Sequence, residues 1–171
     1  GNRHGPEVTT GRGNLSFTSV NLPRVALQSR GDIDRFFTGL SEVMRLAARQ
    51  LYHRYNVQRK LKVKDMPFLM GQGLYLGSKD LGPDDCIEPA IKHGTLSIGF
   101  IGLAEALKVL IGAHHGESDE AQRLGLEIVA FMRERVDEAA EIHDLNYTLL
   151  ATPAEGLSGR FVALDRKRFG V

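Results

Sequence analysis

The sequence predicts an α/β fold, and three observations carry that expectation. Short apolar runs bounded by glycine or small polar residues recur at Asn14 to Val20, Gly94 to Gly102 and Asn146 to Ala151. Between them, two long stretches repeat their apolar residues every three or four positions. Strand-like runs separated by amphipathic helices make one unit of three or four buried strands with long helices beside them. Glycine or small polar groups sit at the strand ends, where such sheets place their ligands.

Gly1, Gly5, Pro6 and Gly11 punctuate residues 1 to 12, which read as a loop or hairpin turn. The first strand, Asn14 to Val20, is expected to stop at Asn21-Leu22-Pro23, because proline cannot donate to a ladder. Strict alternation puts Leu15, Phe17 and Ser19 on one face and Asn14, Ser16, Thr18 and Val20 on the other. A face of Asn, Ser and Thr rather than Lys and Glu suits the inside of a cleft; a half-exposed strand would read the same way.

From Asp32 to about Leu61, a stripe of Ile33, Phe36, Phe37, Leu40, Val43, Met44, Ala47 and Leu51 predicts a long helix. Asp65-Met66-Pro67 breaks it. Phe68 to Leu76 is expected to be extended with bends at Gly71 and Gly73, and Gly77 to Pro89 to be a polar loop. Carboxylates beside a lone thiol make it a poorer nucleophile, so Cys86 reads as structural. The second strand, within Gly94 to Gly102, runs into a helix from Leu103 to Ile111. His114-His115-Gly116-Glu117 has no HExxH spacing and reads as a turn, with no metal site. Ser118 is the expected N-cap of a helix to about Ile142, with Asp119 and Glu120 in its first turn.

The last strand leads into Thr152-Pro153-Ala154-Glu155-Gly156-Leu157-Ser158-Gly159. Thr152 as N-cap, Pro153 at the first helical position and Glu155 three residues after Thr152 are the terms of a capping box. A helix opened this way has free N–H groups at its start and the positive end of its dipole behind them. Gly156 and Gly159 each cost on the order of 1 kcal/mol against alanine in a helix, which predicts that something approaches the backbone closely. A strand, a tight turn and a bare helix start can cradle phosphate. A well-capped helix packed on a neighbour is the other reading, since GxxxxGK[ST] is absent.

At 171 residues the chain is long enough for one core and short for two domains, so 1–171 is expected to be a single unit. Net charge is +1, which gives no basic face for nucleic acid or an anionic membrane. The run from Leu96 to Ala113 is broken by glycines, Glu105 and Lys108 and is too short to span a bilayer. A single cysteine allows no internal disulfide and no thiolate metal site, and suits a reducing cytoplasm. The opening is polar and turn-like, with no signal peptide. Without an initiator methionine, the chain reads as a piece of a longer polypeptide.

Four segments, Gly13 to Arg24, His93 to Leu107, His114 to Ser118 and Leu149 to Phe161, together resemble the anaerobic, glycyl-radical (class III) ribonucleoside-triphosphate reductases in their catalytic large subunit. The likeness runs from about Gly11 to Gly170. It implies part of a ten-stranded α/β barrel, roughly a half-barrel slice, within an enzyme several times longer. That enzyme would reduce ribonucleoside triphosphates to 2′-deoxyribonucleoside triphosphates by radical chemistry, for DNA synthesis. The resemblance further implies a glycyl radical installed by an S-adenosylmethionine radical activase, a structural zinc on four cysteines, ATP and dNTP effectors, and a homodimer. The radical-initiating cysteine of the family lies before the segment matching Gly13 to Arg24, and Cys86 is not in that motif.

By the same resemblance Asn14 is the catalytic, ribose-binding residue, with Ser16 and Thr18 as further ribose contacts. The triphosphate would be held by the turn from Thr152 and by backbone N–H groups of Ala154, Glu155, Gly156, Leu157 and Ser158, helped by the Ser158 hydroxyl. The Glu155 carboxylate opposes phosphate unless the capping box turns it back toward its own backbone. Two other readings stay open: a stand-alone, non-catalytic nucleotide- or phosphate-binding module, and a structural interaction domain. A cut barrel leaves open sheet edges, so the isolated chain is expected to be inactive and to self-associate or be marginally stable.

Overall fold

A computed structural model describes residues 2–170; Gly1 and Val171, the outermost residues of the expected unit, lie outside them. In chain order the elements are β1 (Asn14–Asn21), α1 (Leu22–Ser29), α2 (Ile33–Gln58), α3 (Pro67–Gly71), α4 (Glu88–Ile91), β2 (Thr95–Ile101), α5 (Leu103–Ile111), α6 (Asp119–His143), β3 (Asn146–Ala151) and α7 (Glu155–Phe169). The strands form one parallel sheet in the order β1-β2-β3.

Local chemistry explains most of the boundaries. Asp32 Oδ1 accepts from the Arg35 N–H at 2.9 Å to open α2, and Ser118 Oγ accepts from Ala121 at 3.1 Å to open α6. Helix α1 was not expected. Asn21 ends β1 and at once caps α1, and Pro23 falls in the first turn, where its missing N–H does no harm. The same residue thus stops the ladder and starts the helix. The segment after Asp65 departs from the extended reading for a like reason: Pro67 opens the short helix α3, and turns follow it.

Both long helices lie on one side of the sheet. Phe36, Leu40, Met44 and Leu51 of α2 and Ile128, Met132 and Val136 of α6 are fully or almost fully buried with Leu96 and Ile98 of β2. Phe37 and Phe131 join the helices edge to face, 5.1 Å between ring centres. Tyr147 reaches from β3 into this layer and donates to Ala48 O at 3.0 Å, and its burial pushes the phenol well above its ordinary range. Near it, Tyr52 stacks on His143 at 4.2 Å with the rings 13° apart. Burial lowers the His143 pKa.

Helix α7 stands apart from that core, and Asp165 is its one buried residue. Among the described residues, no helix is long and apolar enough to cross a membrane.

Candidate functional site

The register of β1 against β2 contains a shift between Asn14 and Ser16: Asn14 pairs with Thr95, and Ser16 with Leu96, leaving Leu15 as the extra residue of a bulge. This corrects the even–odd count made on the sequence. Ser16, Thr18 and Val20 align with Leu96, Ile98 and Phe100 and point to the helix layer. Ser16 Oγ there accepts from Arg54 of α2 at 3.0 Å, and Val20 is buried. Asn14, upstream of the bulge, points the other way, and its Oδ1 accepts from Ser97 Oγ at 3.2 Å. Asn14, Ser16 and Thr18 therefore do not share a face, because one extra residue reverses the parity of the strand.

The face turned away from the helices carries Asn14, Phe17 and Ser19 from β1, Thr95, Ser97 and Gly99 from β2, and Asn146, Thr148 and Leu150 from β3. No helix of the α2–α6 layer covers it, and Phe17 is 58% exposed on it. The sequence reading does not single out Ser97 and Thr148; odd positions along β2 and even positions along β3 lead to them. Phe17 and Leu150 aside, the face consists of small or neutral polar residues rich in hydroxyls, which can hydrogen-bond a polyol without presenting charge.

At the carboxyl ends of the strands this face meets the start of α7. The Thr152 N–H donates to Phe100 O at 3.0 Å, which carries the β3 ladder one residue further. Thr152 does not cap α7. Its Oγ1 lies 3.1 Å from Ser19 Oγ, directly over Gly99, and the helix begins at Glu155 after Ala154, with no side-chain cap. The capping box is therefore not formed, and Glu155 is not folded back by one. Without a capping side chain, the N–H groups of Glu155, Gly156 and Leu157 find no backbone acceptor among the described residues. Those of Ala154 and Ser158 are already engaged, with Thr152 O at 2.9 Å and Ala154 O at 2.8 Å. The Ser158 hydroxyl lies 2.9 Å from both Ala154 O and Glu155 O and faces its own helix. Among the described residues nothing lies within 4 Å of a Cβ placed on Gly156 or Gly159, so none of them uses the space these glycines leave.

At the opposite, amino ends of the strands, Asn146 is buried and holds the N-terminal segment. Its Oδ1 accepts from the Arg3 N–H at 2.9 Å, and its Nδ2 reaches His93 O at 3.2 Å and Gly94 O at 3.3 Å. A concavity of about 610 Å³ lies here, lined in part by Arg3, Arg12, Arg133 and Asn146. Arg3 and Arg133 are paired with Asp144 and Asp137, which neutralises much of its charge. The carboxyl ends are the better place for phosphate, because the free N–H groups and the dipole of α7 lie there, while Asn14 opens β1 opposite Thr95 at the amino end, the length of the strand away.

The other chemistry-bearing groups are engaged locally. Glu117 accepts from the His114 N–H at 2.9 Å and sits 3.3 Å from His114 Nε2; the backbone N–H holds its carboxyl below the usual range. Cys86 is exposed in a loop bridged to Lys62. Among the described residues no three His, Cys, Asp or Glu side chains converge.

A family model described as anaerobic ribonucleoside-triphosphate reductase matches residues 2–171. The chain is 35% identical over 173 residues to the anaerobic ribonucleoside-triphosphate reductase of Escherichia coli (strain K12), covering 99% of this chain and 24% of that protein. Against the enzyme of the same name from Enterobacteria phage T4 it is 31% identical over 172 residues, covering 97% and 26%. The chain thus spans about a quarter of the length of these curated relatives. Its structure is similar to the anaerobic ribonucleotide reductase from Thermotoga maritima with citrate in the active site, at a TM-score of 0.75 and 19% identity, over 94% of this chain and 28% of that one. The complex of the Thermotoga maritima enzyme with dATP and CTP gives 0.70 and 21%, over 94% and 25%. At that identity the likeness speaks for the fold: parallel strands with helices on one side, as a slice of an α/β barrel has them.

Proposed function

The chain belongs to the anaerobic ribonucleoside-triphosphate reductase family, and from that premise we propose that the whole protein reduces ribonucleoside triphosphates to 2′-deoxyribonucleoside triphosphates, with this stretch supplying contacts to ribose and phosphates. The observation that carries the reading is the hydroxyl-bearing sheet face, left uncovered by the long helices, that runs from Asn14 to the uncapped start of α7.

Asn14 is the ribose contact. Its Oδ1 is occupied by Ser97, which fixes the plane of the amide and leaves Nδ2 to donate to a sugar hydroxyl. A neutral amide held in place suits a step in which charge develops on those hydroxyls, because its dipole is already oriented. Ser16 and Thr18, turned to the helix layer, have no part in this reading. The N–H groups of Glu155, Gly156 and Leu157 take phosphate oxygens, aided by the helix dipole, and Thr152 sets the turn that aims them. Ala154 contributes its place in the turn, and Ser158 its hold on the first helical carbonyls, rather than donors.

Radical chemistry at the 3′ hydrogen, implied by the family, would come from groups outside this chain. With one cysteine in 171 residues, a four-cysteine zinc does not fit here. An activating radical enzyme, effector nucleotides, a homodimeric assembly and a cytoplasmic setting belong to the same reading of the whole protein, as does a single structural unit over 1–171.

The test uses the full-length enzyme. Asn14→Ala is expected to lower kcat by about 100-fold or more with triphosphate binding retained. Gly156→Glu, which puts a carboxylate among the free N–H groups, is expected to raise the triphosphate KM about tenfold or more. Ordinary turnover in the first variant would remove Asn14 from the chemistry. An unmoved KM in the second would remove α7 from phosphate binding.

A further inference from the structure

Helix α7 carries the N–H groups assigned above to phosphate, yet it lacks the apolar stripe that fixes α2 and α6 to the sheet. Val162 and Leu164 are 50% and 43% exposed, and the one buried side chain of its 15 residues is a carboxylate. Asp165 has both oxygens engaged: Oδ1 accepts from Arg24 Nε at 2.6 Å, and Oδ2 from Asn21 Nδ2 at 2.7 Å. Asn21 in turn uses its Oδ1 to accept the Arg24 N–H at 3.1 Å. One asparagine thus ends β1, caps α1 and grips α7, and the arginine whose backbone it caps supplies the other half of the grip. Charge-assisted hydrogen bonds of this kind are roughly twice as strong as neutral ones.

The near end of α7 is held separately, through the Thr152 N–H on Phe100 O and the Ser19–Thr152 hydroxyl pair. Asp165 lies on the order of 15 Å further along the helix, at about 1.5 Å per residue. Among the described residues, two polar anchors that far apart, with half-buried Leu157, Phe161 and Phe169, define the direction of the axis, and loss of the far one loosens it. Gly156 and Gly159 sharpen the dependence, because they weaken the first two turns as a helix. A ligand that needs the first turn formed then binds only the fraction of molecules in which it is formed.

We propose that Asp165, gripped by Asn21 and Arg24, is a positioning residue for phosphate: it holds α7 so that the N–H groups of Glu155, Gly156 and Leu157 stay aimed at the substrate. The inference rests on the reading of the α7 start as the phosphate site. Asp165 touches no reacting atom; it acts through the helix.

The experiment compares Asp165→Asn with Gly156→Glu in the full-length enzyme. It measures kcat and KM for the ribonucleoside triphosphate, and the inhibition constant of the corresponding nucleoside, which has no phosphate. The amide nearly matches the carboxylate in shape but cannot accept from both Asn21 and Arg24. The expected result is a triphosphate KM raised about tenfold, kcat within about twofold, and nucleoside inhibition unmoved. Asp165→Glu should recover part of the loss. If Asp165→Asn is poorly folded, Arg24→Lys keeps the charge without the fork and should shift KM in the same direction by less. An unchanged KM, or equal weakening of triphosphate and nucleoside, overturns the inference while leaving the phosphate site standing if Gly156→Glu behaves as expected. A Gly156→Glu variant with unmoved KM removes both.

Discussion

Ser19 and Thr152, from the two outer strands of the sheet or just beyond them, hold their hydroxyls 3.1 Å apart across the middle strand at Gly99. A Cβ on Gly99 would collide with Thr152 Oγ1 and come within 3.1 Å of Ser19 Oγ. The bridge exists because that position has no side chain. Gly99→Ala is therefore expected to destabilise the fold by about 1–3 kcal/mol, through displacement of the turn that leads to α7. Thr152→Val, which removes one hydroxyl of the pair, should cost about 0.5–1.5 kcal/mol. Denaturant unfolding of the two variants measures both, and a neutral Gly99→Ala would contradict the close approach.

Gly156 and Gly159 should behave in the opposite sense. Both are helical, and nothing lies within 4 Å of a Cβ at either. Replacing each with alanine is expected to stabilise the helix by up to about 1 kcal/mol. A loss of stability in the full-length protein would instead show that another segment packs against them.

His143 makes stability depend on pH. Burial lowers its folded pKa below the ordinary histidine value of 6.5, so the unfolded chain takes up its proton first as pH falls. This contribution is fully present above the unfolded value and is lost as pH falls through it and toward the folded one. His93 shifts the same way, through burial and then the charge of Lys92, His4 and Arg12. Unfolding midpoints should therefore drop between about pH 7 and about pH 5, and His143→Phe, which keeps a ring against Tyr52, should flatten part of that slope. A variant with the wild-type slope would show that His143 is not a source of it.

Ile98 lies on the central strand at 0% exposure, among α2 and α6 side chains. Ile98→Ala is expected to cost about 2–5 kcal/mol. Leu126→Ala, on the outer side of α6 at 66% exposure, should stay within about 0.5 kcal/mol of the parent. Equal effects at the two positions would mean that the sheet–helix interface is not the core.

The two long helices are legible in the sequence because their apolar stripes are long; the Ser118 cap forms as expected, and Asp32, read only as the helix start, also caps α2. Helix α5 and β3 are legible for a similar reason: glycine, Asp144 and the Thr152 turn bound them closely. Other features escape because one residue does two jobs. Asn21 reads as a strand end but also caps α1, and Pro23 reads as a breaker but sits where a helix accepts it. At the candidate site, Thr152 has the local pattern of a cap, and a tertiary partner, Ser19, takes its hydroxyl instead. No sequence window shorter than the distance between those two residues contains that competition. The grip on Asp165 is hidden in the same way, since Asn21 and Arg24 lie on the far side of the chain from it in sequence.

The bulge at Leu15 makes β1 a strand with two grammars. Before it, the even position faces the open side; after it, even positions face the helices. The orientation of the amide therefore hangs on the bulge itself. Ironing the bulge out with Leu15 kept in the ladder would put Asn14 on the same side as Ser16 and turn the amide inward, under α2, whereas removing Leu15 would leave Asn14 and Ser16 in plain alternation with the amide still on the open side.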